Sequence, residues 1–192
     1  MSTRDAKMIC GIDPGNEYSA FVTLAGLMNT VSGHAWESNC ELLQRIVHAE
    51  FDGSVIAIET LHTRGEPVSQ MAMDAQLWAG RFIQAADMRG IRCIKIDERQ
   101  SRFAVTGFDH ANDGAVRIGL LNQFGEDTQE QCAKCIGSGQ AMGARAPKKC
   151  PTCKGRKFVK VPGPLSGFNE HERSALAAAM VIVNRREERA TA

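Results

Sequence analysis

Two acids close two apolar runs in this chain. The stretch Met8-Ile9-Cys10-Gly11-Ile12-Asp13-Pro14-Gly15 ends on a carboxylate and breaks at once on Pro-Gly, and Val55-Ile56-Ala57-Ile58-Glu59 repeats the pattern. Each reads as a short strand with an acid at its carboxyl end, the edge where α/β sheets hold their ligands. Two carboxylates side by side on neighbouring strands can share a hard divalent cation through oxygen. Such sites can orient water and stabilise the leaving oxygen of a phosphodiester. A strand leading to Asp and Gly also opens sugar kinases and actin-like ATPases, but those folds duplicate the motif and need a longer chain. Glu59 is the residue that separates the two readings.

A second group of ligand-type residues lies further on. Cys132-Ala133-Lys134-Cys135 and Cys150-Pro151-Thr152-Cys153 are two CxxC knuckles separated by 14 residues. Each knuckle lets two thiolates converge, and two of them complete a tetrahedral, closed, structural Zn2+ site. The flanking Gly137, Gly139 and Gly155 let the backbone curl behind the sulfurs. From Arg145 to Lys160 there are seven basic residues and no acid (Arg145, Lys148, Lys149, Lys154, Arg156, Lys157, Lys160). On a zinc-braced knuckle this run suits contact with nucleic-acid phosphates, so Lys148, Lys149, Lys154, Arg156 and Lys157 are candidate DNA contacts. Cys10, Cys40 and Cys93 sit in or near apolar segments and read as buried thiols.

The rest of the composition bounds the answer. The chain has 192 residues and a formal net charge of +1, so mean charge selects no partner. Hydrophobic content of 43% is ordinary for a globular protein. No apolar run reaches the roughly 18 residues that span a bilayer, and the polar Met1–Lys7 segment is unlike a secretory signal. The expectation is an intracellular, cytoplasmic protein, with its cysteine pairs holding metal and not disulfides.

The elements that must carry these residues follow from periodicity. Strands are expected at 7–13, 18–24, 27–36, 54–59 and 91–96, with short connections pairing the first three antiparallel. Helices are expected at 40–50, 67–89, 100–105, 113–124 and 171–186. Gly90 is a plausible stop for the long helix, whose apolar positions are Met71, Leu77, Trp78, Phe82, Ile83 and Met88. Asp113 reads as the N-cap of its helix. Strand–helix alternation after residue 54 indicates a parallel portion. The fold class expected is α/β: a mixed sheet flanked by helices, one domain over 1–192 with a small insertion at 129–162.

GIDPG at 11–15, AIET at 57–60, WAGRFIQ at 78–84, DGAVRIGLLNQFG at 113–125 and GPLSGFNEHERSALAAA at 163–179 together resemble the RuvC-type Holliday-junction resolvases, most of all their phage and prophage branch. The resemblance covers most of the chain outside the insertion. It implies an RNase H-like fold, Mg2+- or Mn2+-dependent cleavage of four-way or branched DNA, and a homodimer, with the long helix at 67–89 as its interface. Asp13 matches the family's first-strand Asp and Glu59 its central-strand Glu. The family carries two more acids one turn apart on its last helix; here His171 and Ser174 stand in those places. His171 can ligate through neutral imidazole, Ser174 cannot replace a carboxylate, and Glu170 or Glu172 could supply an oxygen instead. Catalytic metal ligands are therefore expected at Asp13, Glu59 and His171. Arg64, Arg99 and Arg102, each just past a strand, are expected to face phosphates. A catalytically weak or inactive branched-DNA-binding protein on the same fold is the alternative.

Overall fold

The computed structural model describes residues 8–25, 30–61, 67–134, 140, 149–154 and 156–191. Arg64, Cys135, Lys148 and the glycines at 137, 139 and 155 lie outside the described residues. The chain divides into two compact units, Met1–Leu120 with Phe168–Ala192, and Leu121–Gly167.

The larger unit is built on five strands: β1 (Met8–Asp13), β2 (Tyr18–Ala25), β3 (Thr30–Ser38), β4 (Ser54–Thr60) and β5 (Arg92–Asp97). Their order across the sheet is β3-β2-β1-β4-β5, which makes β1 the central strand. β1 pairs antiparallel with β2, and β2 with β3, while β4 runs parallel to both β1 and β5. The short turn after Asp13 forces the first reversal, and the helix between β4 and β5 provides the crossover that parallel strands need.

Helices cover both faces, which explains why β1 and β4 show almost no polar alternation. On one face, α1 (Asn39–Val47) and α2 (Gln70–Met88) pack Leu42, Ile46, Phe82 and Ala86 against Cys10, Ile12, Phe21, Ile56 and Ile58. On the other lies α5 (Glu170–Thr191), with every residue from Ala175 to Val183 buried. Gly11 decides how close α5 comes. A Cβ built there would lie 1.8 Å from the Ala175 carbonyl oxygen, so any other residue would lift the helix off the central strand.

Helix ends follow local chemistry. Ser38 and Glu41 form a capping box on α1. α2 ends at Arg89, and Gly90 takes the left-handed conformation (φ 69°). α3 (Glu98–Thr106) begins on the capping residue Asp97, and α4 spans Asp113–Phe124.

Several side-chain expectations are corrected. The cap of α4 is Asn112, whose Oδ1 accepts the Ala115 N–H at 2.9 Å, and Asp113 is already in the first helical turn. Cys40 is exposed in the first turn of α1, because the core side of that turn is taken by Asn39 and Leu42. On α2, Phe82 is buried, but Met71, Leu77 and Met88 stand in solvent. A single sheet can bury only one stripe of a helix, and here Ala79, Phe82 and Ala86 fill it.

The smaller unit contains a two-stranded antiparallel hairpin, β6 (Thr128–Gln131) with β7 (Phe158–Val161). Both strands are four residues long, β6 is wholly polar and β7 carries one polar residue among three apolar ones, so neither is long enough to show alternation. Among the described residues, no helix is long and apolar enough to cross a membrane.

Candidate active site

Asp13 ends β1 and Glu59 is the penultimate residue of β4. The parallel register aligns Gly11 with Ala57 and Ile12 with Ile58, which carries Asp13 beside Glu59 on the α5 face. The turn that follows Asp13 is held by a closed set of bonds. The Gly15 N–H donates to Ser19 Oγ (3.2 Å), the Ser19 hydroxyl to Asn39 Oδ1 (2.5 Å), and the Asn39 amide back to the Gly15 carbonyl (3.0 Å). Ser19 and Asn39 are both buried. Asn39→Ala leaves the buried Ser19 hydroxyl without its acceptor and the part-buried Gly15 carbonyl without its donor, a loss of about 1–3 kcal/mol, and thermal denaturation should show a Tm several degrees lower. An unchanged Tm would show that this clamp does not hold the turn.

The two acids open into a cleft of about 570 Å3. Its walls come from α3 (Glu98, Ser101, Arg102), α4 (Asp113, Arg117) and α5 (Glu170, His171, Arg173, Ser174). Five carboxylates face three guanidiniums there. Glu59 Oε2 is buried with no hydrogen-bond partner among the described residues. Burial, followed by the charges of Asp13 and Glu98, pushes the Glu59 carboxyl well above the usual range. A buried carboxylate without a donor is costly, and either a proton or a cation relieves it. The donor set is oxygen-rich and so suits Mg2+ or Mn2+.

His171 stands in the first turn of α5, one turn before Ala175, and the close approach at Gly11 brings it to the acid. Its Nδ1 lies 3.0 Å from Asp13 Oδ2, and that bond raises the imidazole above its ordinary value. Asp13 and His171 are thus brought together. The three donor atoms of Asp13, Glu59 and His171 do not gather as tightly as three thiols elsewhere do. Among the described residues, Cys132, Cys150 and Cys153 alone form a trio of ligand atoms all within 4.8 Å.

The other acids divide. Glu172 is buried away from the cleft, its Oε1 2.5 Å from His34 Nδ1 and its Oε2 accepting the Asn169 N–H, so it is spent as a helix cap. Glu170 faces the cleft, its Oε1 4.0 Å from His171 Nε2. Ser174 lines the cleft as the spacing requires.

Arg102, expected to face phosphate, lines the cleft and is engaged by neighbouring groups. It donates to Glu98, to the Ala111 carbonyl and, at 3.2 Å, to Asp113 Oδ1. It spans α3 and the start of α4 and so shapes the cleft wall. Arg99 is half-buried in the first turn of α3 and is not among the cleft-lining residues. Glu98, Arg117 and Arg173 were not anticipated. Glu98 had a readable signal, since it directly follows the acid Asp97 that ends a third strand; the two arginines had none.

With this geometry, the chain resembles two solved structures. One is T. thermophilus RuvC in complex with a Holliday junction substrate, with a TM-score of 0.57 at 15% identity, covering 91% of this chain and 92% of that one. The other is a Thermus thermophilus RuvC structure, with a TM-score of 0.57 at 14% identity, covering 94% and 96%. The fold is that of RuvC. No family model matches the sequence, and no curated protein matches it. The expected mixed α/β sheet flanked by helices is present.

In the smaller unit, Cys132, Cys150 and Cys153 are all buried, with Cys132 Sγ 3.9 Å from Cys150 Sγ. Backbone N–H groups of Cys153 and Thr152 donate toward Cys150 and help pull its thiol down to about 7. Left-handed backbone at Lys154 (φ 51°) and Lys157 (φ 71°) turns the chain around the sulfurs. Three converging thiols with one lowered fit three corners of a tetrahedral thiolate site. Lys149, Lys154, Arg156 and Lys157 are exposed on the same unit.

Proposed function

We propose that this chain is a structure-selective, divalent-metal-dependent DNA endonuclease that resolves Holliday junctions or other branched DNA by paired nicks. The observation that carries the reading is the buried Glu59 carboxylate, whose Oε2 has no hydrogen-bond partner among the described residues, beside Asp13 at the carboxyl edge of two parallel strands. The RuvC fold supports it, since one of the similar structures is bound to a Holliday junction substrate. Asp13, Glu59 and His171 would hold the metal, with Glu170 near enough to contribute. When bound, such an ion supplies Lewis-acid activation and charge neutralisation for phosphodiester hydrolysis. Asp13 keeps His171 oriented through Nδ1. Arg117 and Arg173 offer guanidiniums to a phosphate entering the cleft. The chemistry belongs to a phage or prophage-like resolvase acting in the cytoplasm. Exposed Met71, Met73, Leu77 and Met88 on α2 favour a homodimer through that helix. The test is cleavage of a synthetic mobile four-way junction with Mg2+ and Mn2+ in parallel. Symmetric nicks support the reading.

Ser174 favours a second reading, a branched-DNA-binding protein without cleavage, because two carboxylates of the expected four are missing and serine, unlike His171, cannot replace one as a ligand. Tight junction binding with no nick in either metal would select it.

The cysteine cluster would hold a structural Zn2+, with Cys135 as the fourth ligand, and the exposed basic residues beside it would contact DNA phosphates. The purified chain is expected to carry about one zinc, with the cluster thiols unreactive until a strong chelator removes it. Atomic emission and thiol titration check this, and Cys150→Ser should lower the zinc content by more than half. A zinc-free chain with the same thiol protection would exclude the site.

A further inference from the structure

A line of side chains runs across the sheet from the acidic cleft to an exposed indole. The register pairs Asp13 with Ala20 and Ala20 with Trp36, so carboxylate, methyl and indole share one face of β1, β2 and β3. Tyr18, two residues before Ala20, shares that face, and its ring lies 5.0 Å from that of Trp36. His171 completes the line from α5. Bonded to Asp13, it holds its ring within 5° of parallel to the indole, with centroids 6.3 Å apart. The small Ala20 leaves the room for this.

Trp36 is 50% exposed and Tyr18 47%, which is unusual for two large rings in contact beside a cleft of charged groups. Adjacent strands are about 4.8 Å apart, so the indole lies roughly 10 Å from the acid. Successive phosphates of a stacked strand advance about 3.4 Å, which puts the indole within a few nucleotides of a phosphate at Asp13. An aromatic face adds nothing to phosphate binding. It does hold a nucleobase, and any base offers a π-face when unpaired and unstacked. A base inside a duplex has both faces covered by its neighbours. The occupant best suited to this pair is therefore an unpaired base on the strand that enters the cleft.

We propose that Trp36, flanked by Tyr18, is a stacking platform for an unpaired nucleobase next to the phosphate held at Asp13 and Glu59. The position of that phosphate rests on the nuclease reading above; the stacking itself requires no cleavage.

The test uses the full chain with no divalent metal added. Its tryptophan emission is titrated with an oligodeoxythymidylate and with a duplex of equal length, while binding is followed separately by anisotropy. The single strand is expected to quench the emission and the duplex to leave it. Trp78, the other tryptophan, is half-buried beneath Arg81 on α2, so the signal missing in Trp36→Phe belongs to Trp36. Trp36→Ala should weaken single-strand binding at least about fivefold, and Trp36→Phe should retain most of it. Binding without quenching, or a Trp36→Ala affinity within twofold of the parent, overturns the platform. An emission shift that follows protein concentration and not DNA does the same, since a second copy would then cover the rings. If Trp36→Ala does not fold, the quenching of the unaltered chain and its loss in Trp36→Phe still decide. Quenching without junction nicking keeps the platform and rejects the nuclease reading, and nicking without quenching does the reverse.

Discussion

Asp13→Asn is expected to bind a four-way junction as the parent does and to nick it at least about 10^3-fold more slowly. The substitution keeps shape and removes charge at the one acid on the central strand. Bound divalent metal is worth several kcal/mol to phosphodiester cleavage, and each 1.36 kcal/mol is a factor of ten in rate. Asparagine cannot neutralise a cation, so most of that contribution goes. Binding should survive because the expected phosphate contacts, Arg117, Arg173 and the basic residues of the smaller unit, are untouched. Asp13 also accepts from His171, and asparagine can still accept through its amide oxygen, so His171 keeps its place. Single-turnover cleavage beside a gel-shift titration measures both properties. Unchanged nicking by this variant would remove Asp13 from the chemistry and with it the proposed function.

Glu59→Gln should abolish nicking and make the metal-free protein more stable. These opposite effects come from one cause. The Glu59 carboxylate is buried next to Asp13 and Glu98 with an unpartnered oxygen, so the fold holds the charged form at a cost. Its folded pKa lies above the ordinary value of 4.5. The folded chain therefore binds this proton more tightly than the unfolded chain does. Stability from this group is greatest at low pH and falls as pH rises from about the ordinary Glu range through the raised value. Glutamine removes the charge and should flatten that part of the profile. A gain of about 1 kcal/mol corresponds to roughly 2–4 °C in Tm for a chain of this size. Added Mn2+ should then raise the Tm of the parent and leave the variant nearly unmoved. If Glu59→Gln melts lower at neutral pH, Glu59 is a structural acid and not a cation site held in reserve.

The reach of sequence reasoning differs from element to element for physical reasons. β1 and β4 were legible because both faces are covered, which demands an unbroken apolar run. α5 was legible because nine successive residues from Ala175 to Val183 are buried, and only small and aliphatic side chains tolerate that. The cap of α4 slipped by one residue because Asn112 and Asp113 are chemically equivalent as caps, and the turn from α3 decides between them. The apolar side chains of α2 were legible as apolar but not as exposed. Burial there depends on which stripe meets the sheet, and Ala79, Phe82 and Ala86 take that place.

Arg102 and Glu172 show the same limit at the site. Arg102 was expected to face phosphate and Glu172 was one candidate for the missing ligand oxygen. Arg102 pairs with Glu98 on its own helix and with Asp113 on α4, and Glu172 pairs with His34 on β3, 138 residues away.

By itself, the sequence determined the two strand-end acids, the paired cysteines and the alternation of elements that carries them, because each is written in a local pattern of residue types. Tertiary structure alone decided that Gly11 admits α5 closely enough for His171 to reach Asp13, that Glu59 Oε2 is buried without a donor among the described residues, and that Trp36 lines up with the acid across β2. Those facts depend on strand register and helix approach, which are fixed by contacts between distant residues and leave no local mark.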